Sequence, residues 1–472
     1  MMLGLYFLSG IFLAALTMLV RKRTVTYALL ILFLAVQTLL TAYAFMHTGE
    51  KVLTYFCFDH TGLLFLALLT FLSYFTAYYS FIYLKRNRDN VFRTAIYCTA
   101  FIMLLVSVTG VYLSEHAGLM WVFVEATTLC VSLLIYHERS TLSLEATWKY
   151  VFICSIGVAL AFVGIIFLGM AVQTNGVYDL SFSAILAQAS TANPFWMKMV
   201  FLFILVGFST KMGLFPLQAI KVDALNVAPS PVGAFISTIL MNAGFLALYR
   251  FYHALSPGSI TEWMDHLLMW TGMLSILIAT IYMLFVGNLK RMGAYSGLEH
   301  IGLIAVGLSL GGPVLYAVFL HLILHTFIKS GFFFHLGAVF HHFRTYKING
   351  IKDYFGKAPL AALVFFMLIL FLGAIPPSGL FVSEFLIFKG LFNASHFWEM
   401  VLLLILLTII IYAFIRNALN IVFAEDNSST ETYGKIRLIE LLPILILLVS
   451  VIWLAYFPPK VFVEFLTQCT LL

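Results

Sequence analysis

Uninterrupted apolar runs of about 20 residues recur along this whole sequence, and they restrict its fold more than any other feature. A run of that length crosses a bilayer core roughly 30 Å thick as an α-helix. Hydrophobic residues fill 62% of the 472 positions and charged residues 10%, which leaves too little polar surface for a hydrated globule. Transmembrane β-strands are shorter and alternate polar with apolar positions, unlike these runs. We therefore predict an all-α polytopic membrane protein.

The apolar runs predict about 14 transmembrane helices. The first run is followed, not preceded, by the basic residues 21–23, which favours a retained helix over a cleaved signal peptide. The predicted helices are residues 2–20, 25–46, 61–83, 92–113, 117–136, 149–172, 195–220, 230–254, 263–287, 294–310, 313–341, 359–392, 398–424 and 438–457.

Basic residues are concentrated in alternate loops between these helices. Loops rich in Lys and Arg stay on the cytoplasmic side of a membrane, so we expect both termini on the outer face. The net charge of +6 then reflects these loops rather than an anionic partner. The loops predicted to be cytoplasmic are residues 21–23, 85–93, 137–147, 221–229, 288–291, 342–357 and 416–437.

Two predicted helices, the seventh and the twelfth, are interrupted by Gly and Pro. Gly213 in the first interruption aligns with Gly379 in the second, five spans later, and an odd offset gives the two halves opposite topology. Interrupted helices leave carbonyls free to hold ions or water, which indicates a transport path near the midplane. The predicted divisions are a three-helix segment at 1–91, two inverted five-helix repeats at 92–254 and 263–424, and a C-terminal helix at 438–472.

Charged and titratable side chains lie inside the apolar runs, where each charge costs roughly 2.5–3.5 kcal/mol on insertion scales. Three of them recur at i, i+4 and i+8 and so share one helix face: His321, His325 and Lys329. Groups that exchange protons in such positions indicate proton transfer, although a static ion pair and core packing remain alternatives. Lys149 instead follows Glu145 by four residues and should pair with it locally. The candidate proton-transfer residues are Glu125, Lys211, His300, His321, His325, Lys329 and Glu384.

No cofactor or metal site is predicted. The five cysteines are scattered, without disulfide, zinc or iron–sulfur spacing, and the chain has no phosphate loop or dinucleotide fingerprint. His335, His341 and His342 could ligate a metal, but a solvated helix end explains them more simply. We therefore expect no catalytic centre in this chain, and no nucleic-acid partner.

Several motifs resemble those of the antiporter-like subunits of respiratory complex I. This family also includes Mrp-type antiporter subunits and membrane subunits of hydrogenase-4 and formate hydrogenlyase. The run at 144–150 is most similar to the F component of hydrogenase-4, and glutamate at 384 is similar to the M-type subunit of NADH-quinone oxidoreductase. The motifs are residues 206–216 with Asp223-Ala and 228–232, residues 288–296 with 299–302, residues 325–329, and residues 379–385.

The resemblance implies a role for each candidate residue. It implies that Glu125 and Lys211 form a half-channel switch and that Glu384 ends the path; the relay between them would be His300, His321, His325 and Lys329. Gln218 and Asn242 occupy positions where relatives carry titratable groups, which marks the first half-channel as a point of departure.

The resemblance also implies a setting. The chain would work with other membrane and peripheral subunits of a hydrogenase or NADH-quinone oxidoreductase complex, in the inner (plasma) membrane of a prokaryote. The alternatives are an Mrp-type Na⁺/H⁺ antiporter subunit, a membrane partner of an inorganic-carbon uptake complex, and a quinone-site or structural anchor subunit.

Overall fold

The computed structural model describes residues 2–171, 179–425 and 434–470, and these residues are almost entirely helical. This confirms the predicted all-α membrane class. The one hairpin in the described ranges pairs β1 (Lys51–Val52) with β2 (Phe56–Cys57), and short 3₁₀ turns cover Tyr136–Glu138 and Ile348–Gly350. The helices are α1 Met2–Leu19, α2 Arg23–Met46, α3 His60–Arg86, α4 Val91–Leu113, α5 Ala117–Ile135, α6 Thr141–Ala171, α7 Phe182–Gln188, α8 Pro194–Met212, α9 Ala219–Val227, α10 Ser230–Ser237, α11 Ile239–Leu255, α12 Thr261–Leu284, α13 Leu289–Leu310, α14 Val314–Phe343, α15 Tyr354–Lys357, α16 Pro359–Leu372, α17 Gly379–Asn393, α18 Phe397–Phe423, α19 Leu438–Tyr456 and α20 Lys460–Gln468.

Twelve described helical segments are long and apolar enough to cross a membrane, and one of them, Ser230–Leu255, comprises α10 and α11 together. The two predicted spans outside this set are 294–310, which is the more polar helix α13, and 359–392, which is divided into α16 and α17. The count of 14 spans, like the inverted repeat, stays a prediction.

Both predicted helix interruptions are confirmed, with different boundaries. The seventh predicted helix does not continue to residue 220, because α8 ends at Met212 where Gly213 adopts φ +81°. Such a left-handed residue is a common helix terminator, and glycine adopts it without a Cβ clash. The twelfth predicted helix is separated at residues 373–378, and the eighth is divided at Thr238 into α10 and α11.

The described chain forms two compact units, one of Met1–Val232 with Ile239–Met264 and the other of Gly233–Thr238 with Asp265–Leu471. In the first unit α8 packs between α6 and α11. Small residues allow the close approach of α6 and α8, since a Cβ on Gly157 would clash with the Thr210 side chain, and one on Gly207 would lie 2.6 Å from Ala161. This packing places the C-terminal end of α8 in the interior.

A buried ion pair joins distant helices of the first unit. The Arg250 guanidinium on α11 donates to Asp59 Oδ1 at 2.6 Å and to the Tyr112 carbonyl at 2.7 Å, and it also donates to the Ser114 carbonyl. The guanidinium thus connects the start of α3 and the end of α4 to α11. In the second unit α14 is the central helix and packs against α13, α16, α17 and α19.

The predicted cytoplasmic loop at 221–229 is wrong in one respect. Lys221 is not in a solvated loop but lies buried in α9, where its Nζ donates to the Met212 carbonyl at 2.9 Å. The last carbonyls of a helix have no partner within it, so the end of α8 needs such a donor. Within the predicted loop 416–437, residues 426–433 lie outside the described residues, as does Val172 of the sixth predicted helix.

Candidate functional site

In the first unit a chain of hydrogen bonds connects Lys211 to Glu125. Lys211 is 4% exposed, and its Nζ donates to the Thr128 hydroxyl at 2.5 Å. Thr128 in turn donates to Glu125 Oε2 at 3.3 Å, and Ser155 donates to Glu125 Oε1 at 2.7 Å. The two charged groups therefore meet through a hydroxyl, not through the direct ion pair that the sequence left open.

The position of Lys211 follows from the end of α8 and from its neighbours. Lys211 is the penultimate residue of α8, and its ammonium lies 5.6 Å from the centroid of the Tyr150 ring, within cation–π distance. On the other side, a Cβ on Gly244 would lie 2.9 Å from both Lys211 Cβ and the Met212 backbone nitrogen. Glycine in α11 thus allows the two helices to approach at this point.

A hydroxyl between an ammonium and a carboxylate can accept one proton while it donates another. The Lys211–Thr128–Glu125 chain is therefore a path along which a proton can pass. Sequence reasoning missed Thr128, although a signal was present: Thr128 follows Glu125 by three residues, on the same face of α5.

One of the two departures from the family pattern, Gln218, lies close in sequence to the first interruption. Gln218 immediately precedes α9, and within the described residues its Oε1 accepts no hydrogen bond. Asn242 is fully buried in α11. Lys221, which the sequence analysis did not select, is a buried cation at the same interruption.

In the second unit three helices bring titratable groups together. His321 Nε2 on α14 lies 3.3 Å from His300 Nδ1 on α13, and that nitrogen lies 3.8 Å from Glu384 Oε1 on α17. The His325 ring centroid is 4.9 Å from that of His300. These groups on α13, α14 and α17 thus lie close together.

The second interruption fixes the tautomer of His300 and supplies a neighbour for His321. His300 Nε2 lies 3.0 Å from the carbonyl of Leu372, the last residue of α16, and a carbonyl can only accept. His321 Nδ1 lies 3.0 Å from the Ser383 hydroxyl, which donates its own proton to the Leu380 carbonyl at 2.9 Å. The His300 contact requires N–H at Nε2, which leaves a lone pair on Nδ1 of the neutral ring. The His321 proton can lie on Nδ1, donated to Ser383, or on Nε2, donated to the His300 Nδ1 lone pair.

Two further buried titratable residues belong to this cluster. Lys329 is fully buried on α14 and interacts electrostatically with His300 and with Glu299 on α13; Glu299 also interacts with Glu384. Glu299 lies in the motif at 299–302, but no role was predicted for it. A carboxylate inside a predicted membrane span was the signal that could have identified it.

The remaining sequence-based interpretations can be compared with the structure. Lys149 Nζ pairs with Glu145 Oε1 at 2.6 Å on an exposed helix face, as predicted. The solvated helix end predicted for His335, His341 and His342 is wrong for two of them. His335 is fully buried against the Tyr354 hydroxyl at 3.1 Å, and His342 is 6% exposed and lies 2.6 Å from the Gly434 carbonyl.

Known proteins are similar to this chain in sequence. The family described as NADH:quinone oxidoreductase/Mrp antiporter, transmembrane, matches residues 114–410. A hydrogenase-4 component F homolog of Methylacidiphilum infernorum is 29% identical over 427 residues, 89% of either chain. NADH-quinone oxidoreductase subunit N of Desulfitobacterium hafniense is 28% identical over 345 residues, 66% of either chain.

Solved structures share the fold. A chain of an archaeal membrane-bound sulfane sulfur reductase superposes with a TM-score of 0.87 at 23% identity, covering 99% of this chain and 96% of that one. A chain of Thermus thermophilus respiratory complex I gives 0.80 at 20% identity, covering 98% of either chain. A chain of the Mrp complex of a Dietzia species gives 0.83 at 17% identity, covering 99% of this chain and 95% of that one.

Proposed function

Because the chain belongs to the NADH:quinone oxidoreductase/Mrp antiporter family of membrane subunits, we propose that it translocates protons as a subunit of a complex I-like redox complex. The hydrogenase-4 or NADH-quinone oxidoreductase type is the setting that its relatives support. The observation that carries the proposal is the Lys211–Thr128–Glu125 hydrogen-bond chain, in which Lys211 and Thr128 are buried and Glu125 is half-buried. Charged side chains within membrane helices cost free energy, and a role in proton transfer explains why they are present.

The proposal gives each candidate residue a step. Glu125 and Lys211 act as the switch, since a change in their separation alters the proton affinity of both. Thr128 carries the proton between them. The relay comprises His300, His321, His325 and Lys329, and Glu384 releases the proton.

The setting is part of the same proposal. The inverted repeats at 92–254 and 263–424 would give two half-channels of opposite direction, in the inner membrane of a prokaryote with both termini outside. Electron transfer would occur on partner subunits, because the cysteines of this chain have no cluster-binding spacing.

Proton uptake by vesicles that contain the purified complex tests the proposal. Lys211→Met should reduce the uptake rate to less than about a tenth, since loss of a charge-assisted hydrogen bond costs about 1.5–3 kcal/mol. Lys149→Met is the matched control, because Lys149 is exposed and its ion pair with Glu145 lies within one helix. Undiminished uptake by Lys211→Met would favour a structural anchor. Labelled sodium that exchanges through the wild-type complex, but not through Glu384→Gln, would instead indicate a sodium antiporter.

A further inference from the structure

We infer that His300, His321 and Glu384 form a binding site for a divalent transition-metal cation of the Zn²⁺ class, and that the bound ion stops proton movement through the second unit. The inhibitory effect rests on the proposed function. The binding itself rests only on the geometry of the three side chains, so the two can fail separately.

The separations of the ligand atoms fit a tetrahedral ion. Metal–nitrogen distances of about 2.0–2.1 Å place neighbouring ligands about 3.4 Å apart. His300 Nδ1 and His321 Nε2 lie 3.3 Å apart, and Glu384 Oε1 is 3.8 Å from His300 Nδ1. One ligand atom from each residue lies within 4.8 Å of the other two. A small rotation of the Glu384 side chain would close the set.

The hydrogen bonds around the cluster prepare it for a metal. Metal-ligating histidines commonly donate their second N–H to a carbonyl or another acceptor, which fixes the tautomer and the ring orientation. His300 does so to the Leu372 carbonyl, and the Ser383 hydroxyl beside His321 Nδ1 can accept the N–H of that ring in the same way. In that tautomer His300 Nδ1 and His321 Nε2 both present lone pairs to one point, where a metal ion would bind them.

The chemistry of the ligands selects the class of ion. Two imidazole nitrogens and one carboxylate, with a fourth position left for water, suit Zn²⁺, whereas Mg²⁺ and Ca²⁺ prefer oxygen ligands. Glu384 would bind the ion as its carboxylate. Lys329 interacts electrostatically with His300, so a protonated Lys329 would weaken the binding of a cation. His325 lies beside His300 but is not one of the three ligands.

Of the three ligand residues, Glu384 is the one with some exposed surface. Both histidines are fully buried, and the Glu384 side chain is 10% exposed. An ion would therefore enter past Glu384 and should bind slowly. The sequence predicted no metal site. Residues 300, 321 and 384 are far apart along the chain and have no recognisable ligand spacing, so only the packing of α13, α14 and α17 brings them together.

A cobalt(II) titration of the full-length chain in lipid nanodiscs, without a polyhistidine tag, tests the site. Wild-type protein should bind one Co²⁺ with the visible absorption of tetrahedral cobalt, and Zn²⁺ should displace it. His321→Gln should weaken binding at least about tenfold, since even outer partners of a metal site contribute 10–100-fold. His335→Gln is the matched control, as it removes another fully buried histidine of α14 that contacts Tyr354 instead.

The outcomes separate this inference from the proposed function. If wild-type protein shows no tetrahedral cobalt, or if His321→Gln binds it as tightly as His335→Gln does, the metal site is wrong while proton transport stands. If the site binds cobalt and zinc but Lys211→Met still takes up protons at the full rate, the metal site stands and the proton path is wrong. Zinc that binds without slowing wild-type proton uptake would overturn the inhibitory effect.

Discussion

The Lys211 ammonium donates to the Thr128 hydroxyl at 2.5 Å, so the buried cation on α8 is held by a neutral residue of α5. The Thr128 hydroxyl in turn donates a hydrogen bond to Glu125 Oε2 at 3.3 Å. A neutral bridge allows the two charges to separate or combine by the movement of one side chain. A direct ion pair in a low-dielectric interior would be harder to break.

Removing this bridge should slow proton transfer without removing a charge. We expect Thr128→Val to lower the rate of proton uptake by the vesicles roughly 10–100-fold, because hydrogen bonds to charged groups contribute about 1.5–3 kcal/mol. Thr128→Ser should retain most of the rate. The control is Thr127→Val, since the hydroxyl of Thr127 donates only to the Val124 carbonyl. Equal rates for Thr127→Val and Thr128→Val would exclude the bridging role.

The close approach of α11 to α8 at Gly244 should be needed for stability. The Cβ of Gly244→Ala would lie 2.9 Å from Lys211 Cβ and the Met212 backbone nitrogen, neither of which is the end of a flexible side chain. Overpacking of this kind costs about 1–3 kcal/mol in the free energy of unfolding. Thermal unfolding followed by circular dichroism in detergent measures it. Gly287→Ala should leave the midpoint unchanged, because nothing lies within 4 Å of its Cβ; a fall of equal size in both variants would refute the prediction.

The buried pair of Arg250 and Asp59 should stabilise the first unit only while both charges are present. Asp59→Asn leaves a buried guanidinium without its carboxylate, and breaking such a pair costs about 3–5 kcal/mol. In the double variant Asp59→Asn/Arg250→Met, much of this loss should be recovered, as neither charge then remains unpaired. The free energy of unfolding of both variants, measured in denaturant, checks this. A double variant no more stable than Asp59→Asn would contradict the account.

Cys57 can report the orientation of the chain. Burial raises the pKa of the Cys57 thiol to about 11, with smaller contributions from Asp59 and Glu115. Since the thiolate is the reactive form, labelling by a membrane-impermeant maleimide should accelerate about tenfold per pH unit well below that pKa. The other four cysteines are buried. We expect labelling from the outside of intact cells, and none in Cys57→Ser. Labelling that occurs only in inside-out vesicles would reverse the predicted orientation.

The sequence predicted much of the candidate site because burial of charge in apolar helices is a local property. Glu125, Lys211 and Glu384 could be selected from their apolar surroundings alone, and the i, i+4 spacing of His321 and His325 gave their shared face. The partners of these residues could not be found in this way. Thr128 and Ser155 are ordinary helix residues in sequence, and only the packing of α5, α6 and α8 shows that they surround Glu125.

Helix ends show the same division. Gly213 predicted the end of α8. It did not predict that the Lys221 side chain would be buried and would donate a hydrogen bond to the carbonyl of Met212, the last residue of α8. Arg250 and Asp59 are 191 positions apart, and no spacing rule links them.

By itself, then, the sequence determined the membrane class, the two helix interruptions and the buried titratable residues, because hydrophobicity and backbone preference act over one or two helical turns. The tertiary structure alone decided which groups touch: Lys211 with Thr128, and His300 with His321. Such contacts depend on ångström-scale distances between helices, which are set by close packing and by the need of every buried polar group for a partner.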